Sequence, residues 1–126
     1  MKYYKIGEVS EITELSRDTL RYYEKIGLIR HLEKDNSGRK KYSEKDIEWI
    51  EFLKRLKATK MSLKDIGRYA GLRYAGDRTS GERKKLLTKQ LEKITKEIEK
   101  LLETKQILTG KIKVYNEKEK QTGKIV

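Results

Sequence analysis

The chain has 126 residues, enough for one ordinary domain and a modest extension. It carries 32 Lys and Arg against 20 Asp and Glu, a formal net charge of +12, and Leu, Ile, Val and Phe make up only roughly 24% of it. A large single core is therefore excluded, the absence of Cys excludes disulfides and thiol chemistry, and no apolar run nears the ~20 residues of a membrane span.

No signal-peptide pattern opens the chain, so a cytoplasmic protein without a membrane partner is expected. The charge surplus is spread evenly, with 18 basic and 12 acidic residues over 1–76 and 14 and 8 over 77–126. It points to a polyanionic partner, although charge alone does not separate nucleic acid from acidic membrane. Texture changes along the chain: seven of the eight Tyr precede residue 76, and Lys, Glu, Leu and Ile at helical spacing follow. Gly71, Gly76 and Gly81 punctuate that change, and domains of 1–76 and 77–126 are expected.

The first element is a short helix whose inner face is set by Ile6, Val9 and Ile12, with Glu8, Glu11 and Glu14 on a solvated side. Thr13-Glu14-Leu15 makes a turn, and Ser16 caps a second helix. On it Leu20 and Tyr23 face inward, while Arg17 and Arg21, four apart, share another face. Gly27 ends it. Leu28-Ile29-Arg30 and Lys40-Lys41-Tyr42 read as two short strands joined by the turn residues Asp35-Asn36-Ser37-Gly38.

Ser43 then caps a helix carrying Ile47, Ile50, Leu53 and Leu56, and Ser62 caps a shorter one carrying Leu63, Ile66 and Tyr69. Thr79 and Glu82 have capping-box spacing at the start of the last helix. Apolar residues follow at Leu87, Leu91, Ile94, Ile98, Leu101, Leu108, Ile112 and Tyr115, with Lys105 filling one gap. That 3.5-residue period runs over about four heptads. A helix from Thr79 to Tyr115 would be roughly 50 Å long, more than a small domain is wide, so the stripe is expected to pair with a second copy. Lys105 falls in the seam. It either snorkels, meets a partner acid that fixes register, or marks where pairing ends.

Helix, tight turn, capped basic helix and basic hairpin together describe a winged helix-turn-helix. An arginine fork suits guanine or phosphate, Tyr22 offers a hydroxyl to a phosphate, and Arg39, Lys40 and Lys41 place charge on the hairpin. The fold class expected is mostly α, with a winged helix-turn-helix followed by a long dimerisation helix.

Residues 3–30, YYKIGEVSEITELSRDTLRYYEKIGLIR, resemble the N-terminal domain of the MerR family of bacterial transcription regulators. The core TLRYYEKIGLI, the hairpin SGRKKYSEKDI and MSLKDI at 61–66 carry the resemblance, which extends to about residue 117. It implies a homodimer joined by an antiparallel coiled coil on a near-palindromic promoter operator. It also implies distortion of an over-long promoter spacer at which RNA polymerase is bound.

Carried over by position, the resemblance implies DNA contacts from Arg17, Thr19, Arg21, Tyr22 and Tyr23 of the second helix, with Tyr23 mainly packing. Arg39, Lys40 and Tyr42 of the hairpin are implied as well, with Lys40 where the family commonly has Arg. The helix starting at Ser62 should present its backbone N–H groups to a phosphate, flanked by Lys60 and Lys64. Lys60 replaces the family's usual Gly, and either adds a phosphate contact or tolerates the turn.

WIEFLKRLKATKMSL and AGDRT are most similar to the subgroup that responds to reactive aldehydes and nitrosative stress. Some of its members carry a reactive Cys in the third helix, where this chain has Arg55, and a guanidinium is no useful nucleophile at neutral pH. The effector, if any, is left open. With the chain ending at Val126, no separate drug-binding domain is expected, and neither is a metal or other cofactor. His31, the single His, reads as a surface residue of the hairpin. No nucleophile–base pair or phosphate loop supports an enzyme.

Two other readings stand beside the regulator. One is an architectural, excisionase-like DNA binder without an effector switch. The other is a coiled-coil adaptor on protein or anionic lipid, against which the narrow, capped N-terminal stripes argue.

Overall fold

The computed structural model describes residues 2–123, with side chains to residue 121. The elements are β1 (Tyr3–Tyr4), α1 (Ile6–Thr13), α2 (Arg17–Lys25), β2 (Glu33–Lys34), β3 (Lys40–Ser43), α3 (Glu44–Ala58), α4 (Leu63–Ala75) and α5 (Ser80–Gly123), with a 3-10 turn at Asp77–Thr79. Two compact units are present, one running to Thr88 and one from Lys89. No described helix is long and apolar enough to cross a membrane.

Local chemistry sets the helix starts. The hydroxyl oxygens of Ser16, Ser43 and Ser62 each accept an amide three residues on, at 3.0–3.1 Å. At Ser43 the bond is reciprocal, because Asp46 accepts the Ser43 N–H at 2.9 Å. These caps satisfy donors that a helix start otherwise leaves unpaired.

The turn between α1 and α2 is closed by side chains. Glu14 adopts a left-handed φ of 62° and ends α1. The Thr13 hydroxyl donates to the Val9 carbonyl at 2.7 Å and accepts the Leu15 amide at 3.3 Å. The Lys54 ammonium of α3 holds the Thr13 carbonyl. Thr13 is buried and Ile12 is 49% exposed, so the inner face of α1 runs Ile6, Val9, Thr13. This corrects the expectation for Ile12: a 3.6-residue turn continues from Val9 to the fourth residue, not the third.

The core gathers Val9, Leu20, Tyr23, Leu28, Ile29, Ile50, Leu53 and Ile66, and Trp49 stacks on Tyr69 at 5.9 Å between centroids. Leu86 and Leu87, in the first turns of α5, pack against this core.

The sheet is ordered β1-β3-β2, with β3 antiparallel to both neighbours. Tyr4 faces Tyr42, and Glu33 faces Lys41. The strand expected at Leu28-Ile29-Arg30 lies instead at Glu33–Lys34. The backbone of residues 28–30 is already engaged. The amides of Leu28 and Ile29 donate to the Tyr23 carbonyl, the Arg30 amide donates to the Tyr74 hydroxyl, and the Trp49 indole donates to the Leu28 carbonyl. Leu28 and Ile29 are both buried, as a core plug requires and an alternating strand does not allow.

Thr79 does not cap α5. It is buried, donates to the carbonyls of Leu72 and Gly76 at 2.5 and 2.7 Å, and accepts from Arg83 Nε at 3.1 Å. Its hydroxyl is consumed in fastening the end of α4, so the expected capping box with Glu82 does not form. From Ser80, α5 is one continuous helix of 44 residues, about 66 Å long.

Candidate nucleic-acid interface

The site is built on α2. Ser16 starts the helix with Arg17 as its first residue, and Leu20 and Tyr23 bury one face against the core. That burial turns Arg21 and Tyr22 outward, with Tyr22 50% exposed. Arg21 is paired with Asp18 at 3.3 Å, but both side chains are well exposed, so the pair yields readily to a phosphate or base. Thr19 is half-buried, its hydroxyl accepting from Ser16 at 2.8 Å.

A groove of about 790 Å³ lies between α1, α2 and the β2–β3 wing. Lys5, Gly7, Glu8 and Glu11 line it from one side, Arg17, Arg21 and Glu24 from α2, and Arg39, Lys40 and Tyr42 from the wing. Cations thus occupy three of its borders. Gly7 has a specific part. A Cβ there would stand 2.5 Å from Arg17 Nη2, so the missing side chain is the notch in which the guanidinium lies.

Wing geometry comes from Asp35, whose carboxylate accepts the amides of Ser37 and Arg39 at 2.9 and 3.0 Å, and from Gly38 at φ 81°. Arg39 and Lys40 are exposed on it. Lys40 is ion-paired with Glu24 of α2, so wing and recognition helix are joined across the groove. Lys41 turns the other way, over the Tyr3 ring at 4.1 Å. The Tyr3 hydroxyl is held above its ordinary pKa, first by its hydrogen bond to Glu33 and then by desolvation and nearby carboxylates.

Tyr42 departs from expectation. It is 1% exposed, its ring belongs to the core, and only its edge borders the groove. The cause is strand alternation: Lys41 and Ser43 lie nearer solvent, so Tyr42 points in. Burial foremost, then the Glu24 carboxylate, pushes its hydroxyl up to about 12. Tyr42 is therefore a core residue at the floor of the groove, with little of its surface open to a ligand. Tyr23 is also buried, with its hydroxyl accepting from Lys57 at 3.3 Å, as a residue that mainly packs would be.

Lys60, Ser62 and Lys64 are exposed around the start of α4. Lys60 has φ 63°, the left-handed conformation that a Gly would adopt without strain. A second, apolar cleft of about 260 Å³ separates this corner from α2, rimmed by the exposed Tyr22 and Leu63. Sequence reasoning passed over Gly7 and Glu24. An isolated Gly inside a predicted helix was the available signal for the first. Glu24 gave no local signal, because its partner lies sixteen residues away. Among the described residues no group of His, Asp and Glu is arranged to hold a metal.

Known proteins share this arrangement. The profile of the MerR helix-turn-helix family of regulatory proteins matches residues 4–71, and that of the MerR DNA-binding region matches residues 47–111. The chain belongs to the MerR family. A MerR relative, the HTH-type transcriptional regulator YyaN of Bacillus subtilis, is 41% identical over 106 residues, covering 80% of this chain and 77% of the relative. Among solved structures, HiNmlR, a MerR family regulator lacking the sensor domain and bound to promoter DNA, superposes with a TM-score of 0.84 at 35% identity over 99% of this chain and 100% of that one. A MerR regulator of Listeria monocytogenes also superposes at 0.84, with 34% identity over 90% of this chain and 86% of the other. Fold class and family thus agree with the reading of the sequence.

Proposed function

We propose that this MerR chain is a homodimeric, sequence-specific DNA-binding regulator of transcription that acts on a near-palindromic promoter operator. The observation that carries this reading is the recognition helix: Arg17 and Arg21 stand on one face of α2, beside a groove bordered by Arg39 and Lys40 of the wing, and Tyr22 is exposed on the adjoining face. Arg21 reads a base edge in the major groove. Arg17, Thr19 and Tyr22 hold the flanking backbone, and Arg39 and Lys40 reach the neighbouring phosphates. Ser62, Lys60 and Lys64 bring the start of α4 to a further phosphate.

The stripe on α5 supports the dimer. Leu91, Ile98, Leu101, Leu108, Ile112 and Tyr115 are each more than half exposed in the single chain, with Leu101 at 68%. Covering each contributes on the order of 1 kcal/mol. Ile94 and Lys105 complete the seam, which pairs antiparallel with the second copy, whereas Leu87, expected in it, packs on the core of its own chain. The dimer distorts the promoter spacer at which RNA polymerase is bound, in the cytoplasm.

Genome-wide footprinting, followed by affinity measurements on the recovered duplex at several salt concentrations, tests this. A dimer that neutralises about eight phosphates gives a slope near −7 in log K against log salt. A nearly flat slope ends the nucleic-acid reading. Footprints that avoid promoters replace the regulator with an architectural DNA binder.

A further inference from the structure

Where α2 leads toward the wing, two guanidiniums and an imidazole surround one aromatic ring. The Tyr74 hydroxyl accepts the Arg30 amide at 3.0 Å, which fixes the ring against residues 28–31. The guanidinium carbons of Arg30 and Arg73 lie 5.2 and 4.9 Å from its centroid, and the His31 ring meets it edge-on at 5.6 Å. Arg73 also lies over Trp49 at 4.3 Å.

Both guanidiniums are held in place before any ligand arrives. Arg30 Nε donates to the Gly27 carbonyl at 2.8 Å, and among the described residues its two Nη groups have no acceptor. Arg73 is clasped between two rings, and no acceptor engages its N–H groups among the described residues. Neither Arg30, Arg73 nor His31 enters an ion pair there. His31 adopts a left-handed φ of 59°, which a non-Gly residue takes up only where its surroundings hold it. Two preorganised forks with like charge, uncompensated by any carboxylate, match the planar donor pattern that binds phosphate or carboxylate.

The start of α4 is the end proposed to face DNA. Tyr74 lies about 17 Å further along that helix from Leu63, so the cluster stands apart from that end, and none of Arg30, His31, Arg73 and Tyr74 lines the groove between α1, α2 and the wing. We propose that Arg30, Arg73 and His31, arrayed on Tyr74, form a second anion site that takes the phosphate or carboxylate group of a small molecule.

Trp49 is the only Trp and is stacked under Arg73, so its emission reports directly on the site. The full chain is titrated with inorganic phosphate, pyrophosphate and citrate at ionic strength matched with chloride. The expected result is a saturating change in Trp49 emission with half-saturation near or below about 1 mM for at least one probe. It is lost in Arg30→Gln, which leaves the Arg73–Trp49 contact in place, and in Arg73→Gln, with melting temperatures close to the parent's. Arg73→Lys keeps the charge but not the fork, and weakens binding about ten-fold.

A linear response with no saturation overturns the proposal, and so does a response that Arg30→Gln leaves unchanged. If duplex DNA produces the same emission change, and Arg30→Gln and Arg73→Gln both lower the salt slope of DNA binding, the cluster is a DNA phosphate contact. The small-anion site is then rejected.

Discussion

Replacing Gly7 by Ala separates folding from DNA binding in one step. The new methyl would sit 2.5 Å from Arg17 Nη2 and 3.1 Å from Arg17 Cζ, against the ~3.5 Å of comfortable contact between heavy atoms. The guanidinium must therefore retreat by about 1 Å. It is the far end of a flexible side chain, so the fold does not resist. Gly7 lies within α1 with no left-handed φ, so Ala there also gains about 0.5 to 1 kcal/mol of helix preference. Melting temperature should hold or rise. DNA affinity should fall, because a charge-assisted contact displaced by about 1 Å forfeits much of its worth. A loss of about 1 to 2 kcal/mol corresponds to about five- to thirty-fold. Fluorescence anisotropy on a footprinted duplex at fixed salt measures the loss, and thermal unfolding measures stability. In an Arg17→Ala background, Gly7→Ala should cost nothing further. Full DNA affinity in Gly7→Ala would refute the view that the Gly7 notch aims Arg17.

Lys60→Gly should stabilise the fold by about 1 kcal/mol by relieving the left-handed φ of 63°. If Lys60 also holds a phosphate, the same variant loses about 1 from the salt slope, and an unchanged slope assigns Lys60 to the turn alone. Glu24→Gln frees Lys40 and removes a negative charge from the groove, so non-specific affinity should rise and the slope should steepen by about 0.9. Identical slopes would show that Glu24 does not restrain Lys40.

Tyr42 concerns stability. The folded chain holds its phenolic proton more tightly than the unfolded chain, so its contribution is complete below pH 10 and is lost as pH rises toward about 12. Tyr42→Phe should remove that alkaline loss, on the order of 2 kcal/mol in urea titrations, and leave DNA affinity nearly unchanged. A marked fall in affinity would return the hydroxyl to the DNA interface. Lys105→Leu should strengthen the dimer while admitting other orientations, if Lys105 lies in a paired seam. Sedimentation and melting unchanged from the parent would place it outside.

What the sequence disclosed was chiefly what is decided locally. Ser16, Ser43 and Ser62 cap the helices expected of them, because a cap is a bond between residues three apart. The hairpin turn at Asp35–Gly38 was legible for the same reason. The two-residue strands were not. Tyr3–Tyr4 and Glu33–Lys34 are strands only because β3 lies beside them, and two residues carry no periodicity. Tyr42 followed the same logic. Its match to the MerR pattern implied a wing contact, but its direction depends on which face of β3 meets the core. Thr79 had the chemistry of a cap and spends it on the carbonyls of Leu72 and Gly76.

The first turns of α5 do double duty. Leu86 and Leu87 pack against the core of the first compact unit, which ends only at Thr88. A fragment cut at residue 76 would therefore lose part of its own hydrophobic lining, along with the Thr79 fastening of α4. Chimaeras that graft a foreign coiled coil onto this reader of DNA need their splice point beyond Thr88. By the same token, recombination between relatives upstream of that residue would yield offspring with damaged cores. The heritable module of this regulator thus ends inside a helix and not at the loop before it.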